Sequence, residues 1–466
     1  MVAASIISRG SDTLDVFTRR SQPNIDINLV GQKPGLVSSY TTGDHIEGTV
    51  TVTVEHETRF NEVEIVLQGT SRTTVERAVC PGRTGSQHMF LELRQPIEYG
   101  DYSTPRMFEL GRKYSFPFQF VIPEQLLPQV CTHKRKYNAI HQSHTMIPPT
   151  LGDPMLAGNG RTLLDDMAPE MSQISYIIRV GVLKRSSTDQ RQVKALANFA
   201  KKVRIIPTVE EEPPIHVFDH PYYCTRKERS VKRGFSRGKL GRMVASSAQP
   251  KPIRLLPHSC DARDTVSTVA TLQLLFNPVG NELPPKLGSM TSKLKASTFY
   301  SATPWEDFPC QSGAMPFSQG FFNESVPLST MCVGSAEWQK HSTSDCERHD
   351  STESTCSESS TGPSSEFNSD IYYTASVVIP VSLPHSKTFV PTFHSCLMSR
   401  IYSLDLTLSY HTPGTNSELD VFVTQAELDK FFSLRSITPH VSDPVIGVNL
   451  APPEYSETIT QRGIRA

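Results

Sequence analysis

Four potential metal ligands fall within fourteen residues at Cys131, His133, His141 and His144. Thiolate and imidazole donors gathered this closely suit a borderline-soft divalent ion such as Zn²⁺. The same stretch reads as a polar loop that also carries Lys134, Arg135 and Lys136, whose positive charge would oppose a cation. None of the Cys has a neighbouring partner at a structural-zinc spacing. The sequence therefore predicts no bound metal and no cofactor. Catalytic motifs are also absent: there is no GxSxG elbow, no GxxxxGK[ST] phosphate loop, no HExxH and no GxGxxG after a strand. The expectation is a protein without a catalytic site.

Recognition chemistry is better represented. Pro452, Pro453, Glu454 and Tyr455 spell PPxY in a polar carboxy-terminal stretch. A Pro-Pro pair is held near polyproline II before any partner arrives, so it can enter an aromatic groove while Tyr455 fills a neighbouring pocket, the ligand shape read by WW domains. A second candidate is the basic run of Arg226, Lys227, Arg229, Lys232, Arg233, Arg237, Lys239 and Arg242, interrupted by a single acid, Glu228. It would suit an anionic membrane surface or an acidic or phosphorylated peptide, and equally a solvated connector between domains. A third is the Ser/Thr- and acid-rich insertion from about 334 to 369, where Ser351, Ser354, Ser357 and Ser359 are candidate phosphorylation positions.

These residues need a scaffold, and the chain length of 466 suits two or three domains plus flexible segments. With 35 Pro, the composition favours long loops over a helix-dense fold. A net charge of −1 gives no ground for nucleic-acid binding. No stretch reaches the ~18–20 apolar residues that span a bilayer, and nine Cys without CxxC pairs fit reduced thiols. A cytosolic protein is expected, and with it an unused Asn323-Glu324-Ser325 sequon.

Period-two alternation predicts strands through Ile46, Val50, Val52 and Val54, through Val63, Ile65 and Leu67, through Phe116, Phe118, Phe120 and Ile122, and through Tyr176, Ile178, Val180 and Val182. The same signal recurs over 265–276, 373–381 and 402–408. Thr42-Gly43-Asp44 and Tyr99-Gly100-Asp101 read as turns, and no stretch sustains a strong amphipathic helix. The fold class expected is all-β, two β-sandwiches with a disordered insertion and tail. The predicted division is a flexible 1–21, a first sandwich over 22–215, a second over 216–435 with a basic connector at 225–243, and a disordered tail at 436–466.

The order Tyr40, Gly43-Asp44, Ile46, Gly48 and Val50, then Phe60, Val63, Ile65, Leu67 and Gly69, then Gly111, Tyr114, the run from Phe116 to Pro123, Leu126-Leu127-Pro128 and Cys131 resembles the amino-terminal arrestin fold of the α-arrestin family. TFYSATPW at 298–305 and FVPTFHSCLMSRIYSLDLTLSY at 389–410 are similar to phrases of fungal arrestin-related proteins. The resemblance implies immunoglobulin-like arrestin lobes and an adaptor that binds cytosolic regions of membrane transporters or receptors, peripherally at plasma membrane and endosomes. It also implies that Pro452, Pro453 and Tyr455 recruit a WW-domain HECT-type ubiquitin ligase, although members often carry more than one PPxY. A sorting coat acting without a ligase is the alternative.

Overall fold

The computed structural model describes residues 22–424 apart from 33–36, 77–81, 98–101, 103–104, 155, 158–160, 163, 186–192, 209–223, 234–236, 249, 254, 256–266, 310–314, 343–370 and 413–414. Within these the chain is almost wholly β, and one α-helix, Asn138–His144, is present.

In the first lobe the alternation expected around Ile46 becomes the strand His45–Thr53, with Ile46, Val50 and Val52 fully buried and His45 and Glu47 exposed. It pairs antiparallel with Asn24–Leu29 on one edge and Tyr114–Val121 on the other. A five-stranded sheet lies across from it, in the order Ser39–Tyr40, Val193–Ile205, Ser172–Arg185, Glu62–Glu76 and Arg83–Arg94. Ile27, Ile46 and Phe120 from one sheet share a single apolar cluster with Ile65, Tyr176 and Val180 from the other. Each such side chain contributes on the order of 1.5–3 kcal/mol by leaving water. Gly48 is required by this closeness, because a Cβ there would stand 2.5 Å from both the Asn28 carbonyl oxygen and the Phe118 ring. The expected turn at 42–44 is present: Gly43 has φ +80°, and the Thr41 N–H donates to the Asp44 carboxylate at 2.8 Å.

The second lobe pairs a five-stranded sheet, in the order Cys224–Arg233, Arg237–Ala248, Ser267–Pro278, Ile371–Ser382 and Gln339–Ser342, with one built on Gln319–Cys332, Lys286–Ser301 and Met398–Thr412. Phe393–His394 and Thr415–Thr424 both pair with Met398–Thr412. Leu272, Phe276, Ile379, Leu406 and Leu408 form the heart of its core.

Two expectations need correction here. The basic run is not a connector: it lies in the hairpin of Cys224–Arg233 with Arg237–Ala248, because Val231, Leu240 and Met243 supply a buried face beneath the charges. The insertion also begins later than 334. Trp338 packs against Phe276 and donates its indole N–H to the Pro285 carbonyl at 2.9 Å, and Gln339–Ser342 pairs with residues 371–374. Residues 1–21, the remainder of the insertion with Ser351, Ser354, Ser357 and Ser359, and the tail with Pro452, Pro453 and Tyr455 lie outside the described residues.

The lobes meet along a buried seam. Tyr300, Ala302, Val390, Phe393 and Met398 of the second lobe belong to the first lobe's apolar cluster. Thr73 donates its hydroxyl to the Ser301 carbonyl at 2.7 Å. Arg400, fully buried, donates to the carbonyls of Asp166 at 3.0 Å and Met167 at 3.1 Å. At the rim Lys387 reaches both Asp165 and Glu324 at 2.6 Å. No helix among the described residues is long and apolar enough to cross a membrane.

Candidate metal centre

Three of the four ligand-type residues in the 131–144 stretch converge, and the fourth member of the group comes from the other lobe. Cys131 follows the 3₁₀ turn Pro128–Val130, and its N–H donates to the Pro128 carbonyl at 3.2 Å. His144 is the last residue of the helix Asn138–His144, where the four-residue spacing sets it on the same buried face as Ile140. His141, one turn earlier on the helix and half-buried, is not part of the group. A helix this short does not persist by itself; this one packs against the strand Phe393–His394. Cys396 sits in the tight turn just beyond that strand. Ser395 secures the turn by donating its N–H to the Met398 carbonyl at 2.7 Å and accepting from the Met398 N–H at 3.2 Å, while Trp305 donates its N–H to the Cys396 carbonyl at 2.9 Å.

The donor atoms of Cys131, His133, His144 and Cys396 all lie within 4.8 Å of one another. Cys131 Sγ is 3.3 Å from His133 Nε2 and 3.6 Å from His144 Nδ1. Cys131, His144 and Cys396 are buried and His133 is half-buried. His133 donates Nδ1–H to the Lys134 carbonyl at 3.0 Å, which leaves Nε2 facing the group.

The Cys131 thiol is held far below its ordinary value, first by a hydrogen bond from Cys396 and then by those from His133 and His144, against the opposing effect of burial. Cys396 is pushed up by the same bond and by burial. The two sulfurs titrate as a pair. His133 is raised, chiefly by its bond to the Cys131 sulfur, whereas His144 and the adjacent His88 are lowered chiefly by burial.

Of the cations expected to repel a metal, Lys136 is paired across the seam with Asp307 at 2.5 Å and the Lys134 side chain is exposed. Arg135 stays beside the group, donating to the Cys131 carbonyl at 2.9 Å. Chemically, the group offers two sulfur and two nitrogen donors in a shielded site, which suits tetrahedral metal binding. Sequence reading missed Cys396 because no local spacing ties it to a cluster some 250 residues earlier.

The basic hairpin is the other predicted site within the described residues. Arg226, Lys227, Arg229, Lys232, Arg233 and Lys239 are exposed, and Arg242 is half-buried. The charges are partly spent internally: Arg226, at 3.1 Å, and Arg242 both hold Glu228, and Arg233 holds Glu282 at 2.6 Å. Arg237 lies at the tip, paired with Arg233 in the register. The structure therefore does not gather all eight cations into one free patch.

No protein-family model matches the chain, and no curated protein matches it in sequence.

Proposed function

We propose that the chain is a non-catalytic, arrestin-type adaptor that brings a WW-domain HECT-type ubiquitin ligase to the cytosolic regions of membrane transporters or receptors, promoting their ubiquitination and endocytosis. The observation that carries this reading is Pro452-Pro453-Glu454-Tyr455, placed beyond the last described strand of a two-lobed β body. A preset polyproline segment loses little entropy on docking. Burying Tyr455 would remove ~150–250 Å² from water, a gross gain of about 4–6 kcal/mol, most of which association entropy and the ordering of flanking residues cancel. A single motif then binds in a range of roughly micromolar to tens of micromolar, which suits an adaptor that must release.

Replacing Tyr455 by Ala should abolish capture of a WW domain by the full-length protein, leave its thermal midpoint unchanged and reduce cargo ubiquitination. Normal ubiquitination and internalisation by that variant would favour the alternative, a coat-like sorting protein working without a ligase. The presence of one PPxY rather than several is the observation on that side, since a single weak site forgoes multivalent engagement.

A further inference from the structure

The seam between the lobes contains the one buried group of ligand-type side chains, among the described residues, whose donors converge on a common centre. We propose that Cys131, His133, His144 and Cys396 form a structural Zn²⁺ site that fastens the first lobe to the second. This inference goes beyond the adaptor reading and stands independently of it.

The geometry carries the proposal. A tetrahedral zinc ion with Zn–S of about 2.3 Å and Zn–N of about 2.0–2.1 Å sets its sulfur and nitrogen ligands about 3.5 Å apart and its two sulfurs about 3.8 Å apart. The two sulfur–nitrogen separations at Cys131, 3.3 and 3.6 Å, bracket the first of these figures. All four donors fall within 4.8 Å of one another, so only a small inward movement completes the tetrahedron. Two thiolates neutralise the ion's charge, and two soft sulfurs with two imidazoles favour zinc over the oxygen-seeking magnesium and calcium. His133 has the support that a ligating imidazole needs, since its Nδ1–H is already committed to the Lys134 carbonyl. A small cavity lined by Ser86, His88, Val130, His133, Pro304 and Cys396 adjoins the group.

Four protein donors leave no open coordination position, so the centre is a staple and takes no part in chemistry on a substrate. Its placement gives it a specific role. Cys131 and His133 flank the turn after Val130, His144 ends the helix, and Cys396 lies next to Met398, which is part of the shared core. A metal there would fix the helix and the Cys396 turn to each other and thereby fix how the lobes sit. An alternative use of the same sulfurs is a Cys131–Cys396 disulfide, which would release the histidines and exclude the metal.

The test uses the full-length chain purified under reducing conditions without chelator. Metal analysis should find about one zinc per chain, and Co²⁺ exchanged into it should give the strong visible bands and thiolate charge-transfer absorption of a tetrahedral two-sulfur site. Cys396→Ser and His133→Ala should each lower zinc content at least tenfold, while His141→Ala keeps it. Removing the metal with a strong chelator should lower Tm by roughly 5–10 °C, with recovery on adding Zn²⁺. The wild-type cobalt spectrum needs no variant, so misfolding of Cys396→Ser does not leave the question open. Wild-type protein that lacks zinc and binds Co²⁺ without thiolate bands would overturn the proposal, as would a Cys131–Cys396 disulfide found by peptide mapping in metal-free, functional protein.

Discussion

In the basic hairpin, eight cations come from one unbroken stretch of chain and most of them face water. In the Cys/His centre, four donors come from two lobes, and three of them are buried. The contrast follows from what each kind of group tolerates. Like charges repel and need solvent, so they sit on a hairpin at the end of its sheet, and those on the edge strand Cys224–Arg233 also discourage pairing with a stray strand. Thiol and imidazole donors can leave water when they bond to one another, so they can occupy a seam. The comparison teaches that charge density in a sequence marks a surface, while the sites that hold this molecule together are assembled from residues that look ordinary one at a time.

The comparison would break most visibly at Arg400. Substituting Met retains most of the volume but removes both donors, leaving the buried carbonyls of Asp166 and Met167 without them. The expected loss is about 2–6 kcal/mol, at roughly 1–3 kcal/mol for each of the two orphaned acceptors, read by urea unfolding with Trp305 and Trp338 as fluorophores. An unchanged midpoint would mean that apolar contact alone holds the seam.

A smaller effect is expected at the rim of the same seam. The hydrogen bond from Lys387 holds the Asp165 carboxyl below its ordinary value, with the Met167 N–H adding to it and burial opposing. A depressed carboxylate contributes stability that is complete above its ordinary value of 3.8 and is lost as the pH falls through it toward the lower folded value. The Tm difference between wild type and Lys387→Met should therefore be full at pH 6 and shrink toward pH 3. A difference that stays constant over that range would show that Lys387 acts through packing.

The smallest effect on folding is expected from the hairpin. Reversing Lys232, Arg233, Arg237 and Lys239 to Glu should move stability by no more than about 0.5–1 kcal/mol, since exposed pairs contribute little. Binding to anionic vesicles, by contrast, should fall at least tenfold, at about 1 kcal/mol per basic residue near the surface. Wild-type binding should weaken as salt rises, because exposed charges are screened within ~8 Å at physiological ionic strength. Equal binding of wild type to neutral and anionic vesicles would reduce the hairpin to an edge-protecting device.

Much of the β architecture was legible because alternation is a local signal. The buried side of His45–Thr53 and of Tyr114–Val121 can be read residue by residue, and so can that of Ile371–Ser382. Lys286–Ser301 was harder to see. Its KLGSMTSKLKASTFYS carries Ser292, Ser297, Thr298 and Ser301 into buried positions, where its backbone is paired on both edges and the Ser292 and Ser301 hydroxyls donate to the carbonyls of Ser329 and Ser318. Trp338 was obscured by the polar text that follows it. The Cys/His group was half legible: Cys131, His133 and His144 stand out in one short stretch, but the loop charges beside them argued against a metal. Only the fold shows Lys136 paired with Asp307 and Cys396 brought in.

The sharing of the first lobe's core with Tyr300, Val390, Phe393 and Met398 bears on the order in which the protein can be made. During synthesis the first lobe's last strand, ending at Ile205, leaves the ribosome some 190 residues before Met398, a delay of about 10–40 s at ordinary elongation rates. For that interval the face that will receive Phe393 and Met398 is open to solvent and has no partner within its own lobe. Until the second lobe arrives, the nascent first lobe therefore carries apolar surface that the finished protein hides.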